Sequence, residues 1–77
     1  MMEDRIRLVL SQVLNINSAE ISDDFSKDST EKWDSMMQMT LVIALEEEFS
    51  IEFNDEQISQ LLSFKLIGLV LKEVANQ

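Results

Sequence analysis

The stretch "EKWDSMMQMT", residues 31–40, sets a serine hydroxyl directly after an aspartate and just ahead of a run of apolar residues. What Ser35 can do chemically is narrowed by what the chain lacks. The 77 residues include no histidine and no cysteine. Nothing typical is therefore present to activate a serine nucleophile, and there is no thiolate or imidazole to hold a metal. No glycine-rich elbow surrounds the serine either. Any covalent chemistry at this hydroxyl must be done by another protein. The spacing S-x-x-Q (Ser35, Gln38) has a plainer meaning, an N-terminal capping box, and on spacing alone the cap is the stronger reading. A phosphate attached at the same position would be favoured by the free N–H groups and dipole of a helix N-terminus.

Two acidic clusters invite metal chemistry and fail on geometry. In "DDFSKDSTEKWD", a calcium loop starting at Asp24 finds oxygen ligands at Ser26, Asp28 and Thr30. The obligatory glycine is Ser29, however, and the terminal bidentate glutamate is Ser35. A solvated acidic loop is the better reading. Glu46, Glu47 and Glu48 are consecutive, so on a helix they point roughly 100° apart and cannot converge on one ion. Between Trp33 and Phe64 there is no Lys or Arg, while Asp34, Glu46, Glu47, Glu48, Glu52, Asp55 and Glu56 are all acidic. Such a one-signed strip suits docking to basic protein partners. Met36 and Met37 read equally as core filler or as exposed interface, and Met39 reads as core.

These residues must be carried by helices. Proline is absent and Gly68 is the single glycine, which leaves little turn chemistry for a multi-stranded sheet. Ile6, Val9, Leu10, Val13 and Leu14 form one apolar stripe on a helix over about residues 3–14. Residues 15–33 make a long polar connection, with Ile16, Ile21, Phe25 and Trp33 as the anchors expected to pin it to the core. The strongest helix runs from Ser35 to Phe49, with Met39, Val42, Ile43 and Phe49 expected inward and Gln38 outward. A short helix follows Asn54, which with Gln57 forms a capping box, and shows Ile58, Leu61 and Leu62 as its apolar face. A last helix carries Leu66, Ile67, Val70, Leu71 and Val74 on one side and ends near Lys72, Asn76 and Gln77. Gly68 inside it suggests close helix packing, since it costs roughly 1 kcal/mol relative to alanine.

Hydrophobic residues make up 45% of the chain, enough for one small core, so a single domain over residues 1–77 is expected. The formal net charge is −9, from 15 acidic and 6 basic residues. That charge argues against nucleic acid and against anionic membranes as partners. The opening "MMEDRIRLVL" has early acids and no small-residue cleavage site, so a cytoplasmic protein is expected; a monomer is expected as well.

Taken together, "WDSMMQMTLVIALEEEF" and "SIEFNDEQI" resemble the acyl and peptidyl carrier protein family, in which D-S-[LM] opens the second helix and L-V-x-A-L-E-E-E-F continues it. The resemblance implies an all-α, four-helix bundle: three main helices, one short helix and a long first loop. It implies a 4′-phosphopantetheine arm attached through phosphate to Ser35, in a carrier that is not itself an enzyme. Asp34 is then read by the phosphopantetheinyl transferase, and Met36 takes the apolar partner-contact position. Glu46 and Glu47 continue the acidic recognition face, and Trp33 and Met37 are expected to join in partner recognition where this chain differs from fatty-acid relatives. Lys32 and Trp33 precede the motif, Met37 and Thr40 stand where acids are usual, and Asn54 replaces a proline. The W-D-S form is more similar to stand-alone carriers of specialised bacterial biosynthetic pathways. The partners implied are the transferase, an acyl- or aminoacyl-loading ligase, and downstream acyltransferases or condensing enzymes with basic docking patches. The rival reading is a small acidic helical interaction module without a prosthetic group.

Overall fold

A computed structural model describes residues 2–75, so Asn76 and Gln77 lie outside the described residues. It contains four α-helices: α1 (Met2–Leu14), α2 (Ser35–Phe49), α3 (Asp55–Ser59) and α4 (Phe64–Ala75). Short 3-10 turns at Ser18–Glu20 and Lys27–Ser29 punctuate the long first loop. No strand occurs among the described residues, and none of their helices is long and apolar enough to cross a membrane. This is the small helical bundle that the sequence pattern implies.

The first helix turns its stripe of Ile6, Val9, Leu10 and Leu14 onto α2 and α4. Asn15 ends it in the left-handed region, with φ 55°, a conformation asparagine tolerates better than most residues. Ile21, Phe25 and Trp33 of the loop are buried as expected, and Ile16 packs against the same core. Backbone pairing fastens the loop to the start of α4. The Phe64 N–H donates to the Phe25 carbonyl at 2.9 Å, and the Lys27 N–H to the Leu62 carbonyl at 2.9 Å. A loop of this length can therefore be ordered in so small a protein.

Two arginines of α1 act as fasteners. Arg5 donates from Nε to a Glu48 carboxylate oxygen at 3.0 Å and from Nη2 to the Glu48 carbonyl at 2.7 Å, with its guanidinium 4.4 Å from the Phe49 ring centre. Arg7 donates to the Ile21 carbonyl at 2.8 Å and to Asp23 at 3.0 Å, and covers Phe64 at 4.6 Å. The ion pairs are exposed enough to contribute only ~0.2–1 kcal/mol each, so the packing of the arginine stems and faces carries much of the benefit.

The faces of two helices depart from the expected pattern. In α2 the buried residues are Gln38, Leu41, Val42 and Leu45, whereas Met39 is 54% exposed and Ile43 53% exposed. Met39 and Ile43 are thus surface residues, and Gln38 is an interior one. Apolar residues surround α2 on nearly every side, so periodicity could not say which side faces the core. In α3 and its exit, Gln57 and Leu61 are buried while Leu62 is exposed; in α4, Phe64 takes the inward place expected of Leu66. The Asn54–Gln57 capping box forms as expected, each side chain accepting the other residue's backbone N–H, at 2.8 and 2.9 Å.

Conformation and residue type are mismatched at two places. Ser50, just past α2, holds φ 55° and ψ 49°, a left-handed conformation that favours glycine. Gly68 meanwhile lies inside α4, where an added Cβ would sit 3.9 Å from the Ile6 side chain, an ordinary contact. The helices therefore do not depend on glycine for their approach. Gly68→Ala is expected to stabilise the fold by about 0.5–1 kcal/mol, and Ser50→Gly by a similar amount, in urea denaturation. A loss of stability in Gly68→Ala would show that the α1–α4 packing is tighter than this geometry allows.

Candidate functional site

The head of α2 is organised by Asp34, not by Ser35. Asp34 has extended backbone, and its carboxylate accepts the Met37 N–H at 2.9 Å. It is the N-cap, which corrects the expectation that the serine caps the helix. The S-x-x-Q box does not form, because Gln38 is drawn into the core. Ser35 becomes the first helical residue, exposed, and its hydroxyl takes no part in the cap.

Directly beneath lies a buried polar relay. The Trp33 indole N–H donates to Gln38 Oε1 at 2.6 Å, and Gln38 Nε2 donates to the Leu61 carbonyl at 3.0 Å, with a longer contact to the Ile58 carbonyl at 3.5 Å. Trp33 stacks on Phe25, ring centres 6.0 Å apart. One side chain thus ties the end of the first loop, the first turn of α2 and the exit of α3 together. Among the described residues no buried side-chain polar atom lacks a partner. Gln38, expected to face outward, is the buried neighbour of Ser35 that sequence reasoning misses. The available signal was the tryptophan: a buried indole N–H requires an acceptor, and a glutamine five residues on can supply one.

The other candidates fall into two groups. Met36 is 73% exposed and shares one face of α2 with Met39, Thr40, Ile43 and Glu47, at spacings of three and four. Asp34 and Ser35 lie at the head of the same helix, so this surface runs from the serine down its length. Trp33 and Met37 turn away from it, Trp33 buried and Met37 half-buried against the core. The three glutamates diverge. Glu46 is half-buried and accepts the Phe53 N–H at 2.9 Å, Glu48 holds Arg5, and Glu47 is exposed. Among the described residues no cluster of three or more His, Cys, Asp or Glu could hold a metal ion. The segment read against a calcium loop instead forms the Lys27–Ser29 turn, in which Ser29 Oγ accepts the Ser26 N–H at 3.0 Å.

The comparisons with known proteins point the same way as this geometry. The model of the family described as "Phosphopantetheine attachment site" matches residues 4–67, a span that includes Ser35 and the helices on either side of it. An acyl carrier protein of Buchnera aphidicola subsp. Schizaphis graminum (strain Sg) is 37% identical over 65 residues, covering 77% of this chain and 75% of the relative. An acyl carrier protein of Buchnera aphidicola subsp. Acyrthosiphon pisum (strain Tuc7) is 36% identical over 59 residues, covering 77% and 74%. The chain belongs to the phosphopantetheine attachment family as a member of the acyl carrier proteins, with 4′-phosphopantetheine as the covalent cofactor this membership implies.

Proposed function

We propose that Ser35 is the attachment point of the 4′-phosphopantetheine arm. The observation that carries this is the division of labour at the head of α2: Asp34 supplies the cap, so the Ser35 hydroxyl stays exposed and free of it. The site suits a phosphodiester. In the first turn of α2 the N–H groups of Ser35 and Met36 have no intrahelical acceptor, and that turn contains no acidic residue. The Ser35 oxygen would attack the pantetheine-bearing phosphorus of coenzyme A, and the pyrophosphate P–O bond would break with adenosine 3′,5′-bisphosphate leaving. The serine proton would pass to a base of the transferase, since this chain has no histidine. When bound, the arm supplies a terminal thiol that holds an acyl group as a thioester.

Around that point the chain's residues serve recognition. Asp34 and Glu47 present charge to basic docking patches, while Met36, Met39 and Ile43 present flexible apolar surface between them. Glu46, Trp33 and Met37 support this face from behind. Tethering does the rest, since a covalently held acyl group reaches each partner's active site at high effective concentration. On this reading the chain is one non-catalytic carrier domain, cytoplasmic and monomeric. It is modified by a phosphopantetheinyl transferase, charged by an acyl- or aminoacyl-loading ligase, and unloaded by acyltransferases or condensing enzymes. The weakly charged start of α2, uncharged from Ser35 to Leu45, favours a specialised bacterial pathway over housekeeping fatty-acid synthesis.

Co-expression with a phosphopantetheinyl transferase should add the mass of one phosphopantetheinyl group to the intact protein, and Ser35→Ala should abolish the gain. A gain that persists in Ser35→Ala would place the arm elsewhere. The cap assignment separates chemistry from folding. Ser35→Ala is expected to change stability by less than about 0.5 kcal/mol, whereas Asp34→Ala should cost ~1 kcal/mol in chemical denaturation. The reverse order would return the cap to the serine.

A further inference from the structure

A hydrocarbon chain tethered to a helical bundle gains by burial, so it enters the core wherever a passage lies within its reach. The core directly beneath Ser35 could be reached only by a passage between the first turn of α2 and the exit of α3, the two segments that Gln38 joins. That passage is occupied. Gln38, one turn on from Ser35 and 9% exposed, spans it with its amide, held by the Trp33 indole on one side and the Leu61 and Ile58 carbonyls on the other. Leu41, Leu45 and Leu61 fill the space behind it with no solvent exposure. Parting α2 from α3 to admit a chain would leave an indole N–H, a carboxamide and a backbone carbonyl buried against hydrocarbon, which offers them no hydrogen bond.

An open apolar groove does exist, about 350 Å³ between α1 and α4, with Met2, Ile6, Phe64, Gly68 and Leu69 among its walls. No residue between 24 and 63 lines it, so neither α2 nor α3 contributes to it. It does not open from the serine's helix.

We propose, resting on attachment of the arm at Ser35, that this carrier keeps its cargo outside the bundle. It is therefore matched to short or polar acyl groups, such as aminoacyl or hydroxyacyl, rather than long hydrocarbon chains. Gln38 and Trp33 are the residues that set this limit. The polar relay closes the core beneath Ser35, and a polar cargo loses nothing by remaining in water.

Loading the purified protein from acetyl-coenzyme A and from octanoyl-coenzyme A with a broad-specificity phosphopantetheinyl transferase tests this directly. Trp33 is the single tryptophan, so its emission reports on the passage itself. The octanoyl form is expected to melt within about 1 °C of the acetyl form, with the same emission maximum. In Gln38→Ala, which removes the amide, the octanoyl form should melt several degrees above its own acetyl form. A rise of about 4–8 °C in the unsubstituted protein, or a shift of Trp33 emission with chain length, would overturn the proposal whether or not the variant folds. A folded Gln38→Ala protein indifferent to chain length would remove Gln38 from the assignment. Failure of both donors to modify the protein would instead strike at the attachment reading, and this proposal would go with it.

Discussion

A carboxamide buried in a protein of 77 residues must satisfy its donors and acceptor or destabilise the fold, and Gln38 satisfies them by joining the end of the first loop, five residues back, to the exit of α3, 23 residues on. An unpaired buried group costs ~1–3 kcal/mol, a large share of the few kcal/mol available to a domain this small. The relay therefore acts as a geometric specification as well as a source of stability. Trp33 fixes the end of the first loop, which sets Asp34 as the cap, which leaves Ser35 exposed as the first residue of α2. The exposure of the serine is thus a consequence of what is buried one turn below it.

The charge of the protein is arranged around the same helix. Against 15 acidic residues there are only 6 basic ones, and three of these fasten structure: Arg5 to the end of α2, Arg7 to the loop and α4, Lys65 to Asp24. No cation falls between Asp34 and Phe64, so the exposed face of α2 begins and ends in negative charge, with an uncharged apolar centre. On the proposed reading, such a surface would suit brief encounters, since acids speed association and methionines adapt to different contours.

That apolar centre also explains why α2 was the hardest helix to orient. By residue type alone Met39 and Ile43 read as core and Gln38 as surface, because intrinsic hydrophobicity is the main guide when neighbours are unknown. In the folded chain both assignments reverse. With Met36, Met39 and Ile43 exposed, α2 lacks the clean two-sided pattern of a helix that shows only polar residues to solvent.

The sequence by itself determined the helices, their boundaries to within a residue or two, the Asn54–Gln57 cap and the loop anchors Ile21, Phe25 and Trp33. Each of these depends on local propensity, on period, or on large apolar side chains in a polar stretch, all of which are written in neighbouring residues. The D-S motif and its downstream register likewise pointed to the family before any geometry was known. Only the tertiary structure decided which face of α2 is inward, that Asp34 rather than Ser35 is the cap, and which partners Glu46 and Glu48 take. The first and last of these turn on contacts across 7 to 43 residues of chain, from Glu46 to Phe53, from Gln38 to Leu61 and from Arg5 to Glu48, which no local pattern encodes. The cap itself is local, and it falls to Asp34 because Gln38 is drawn into the core.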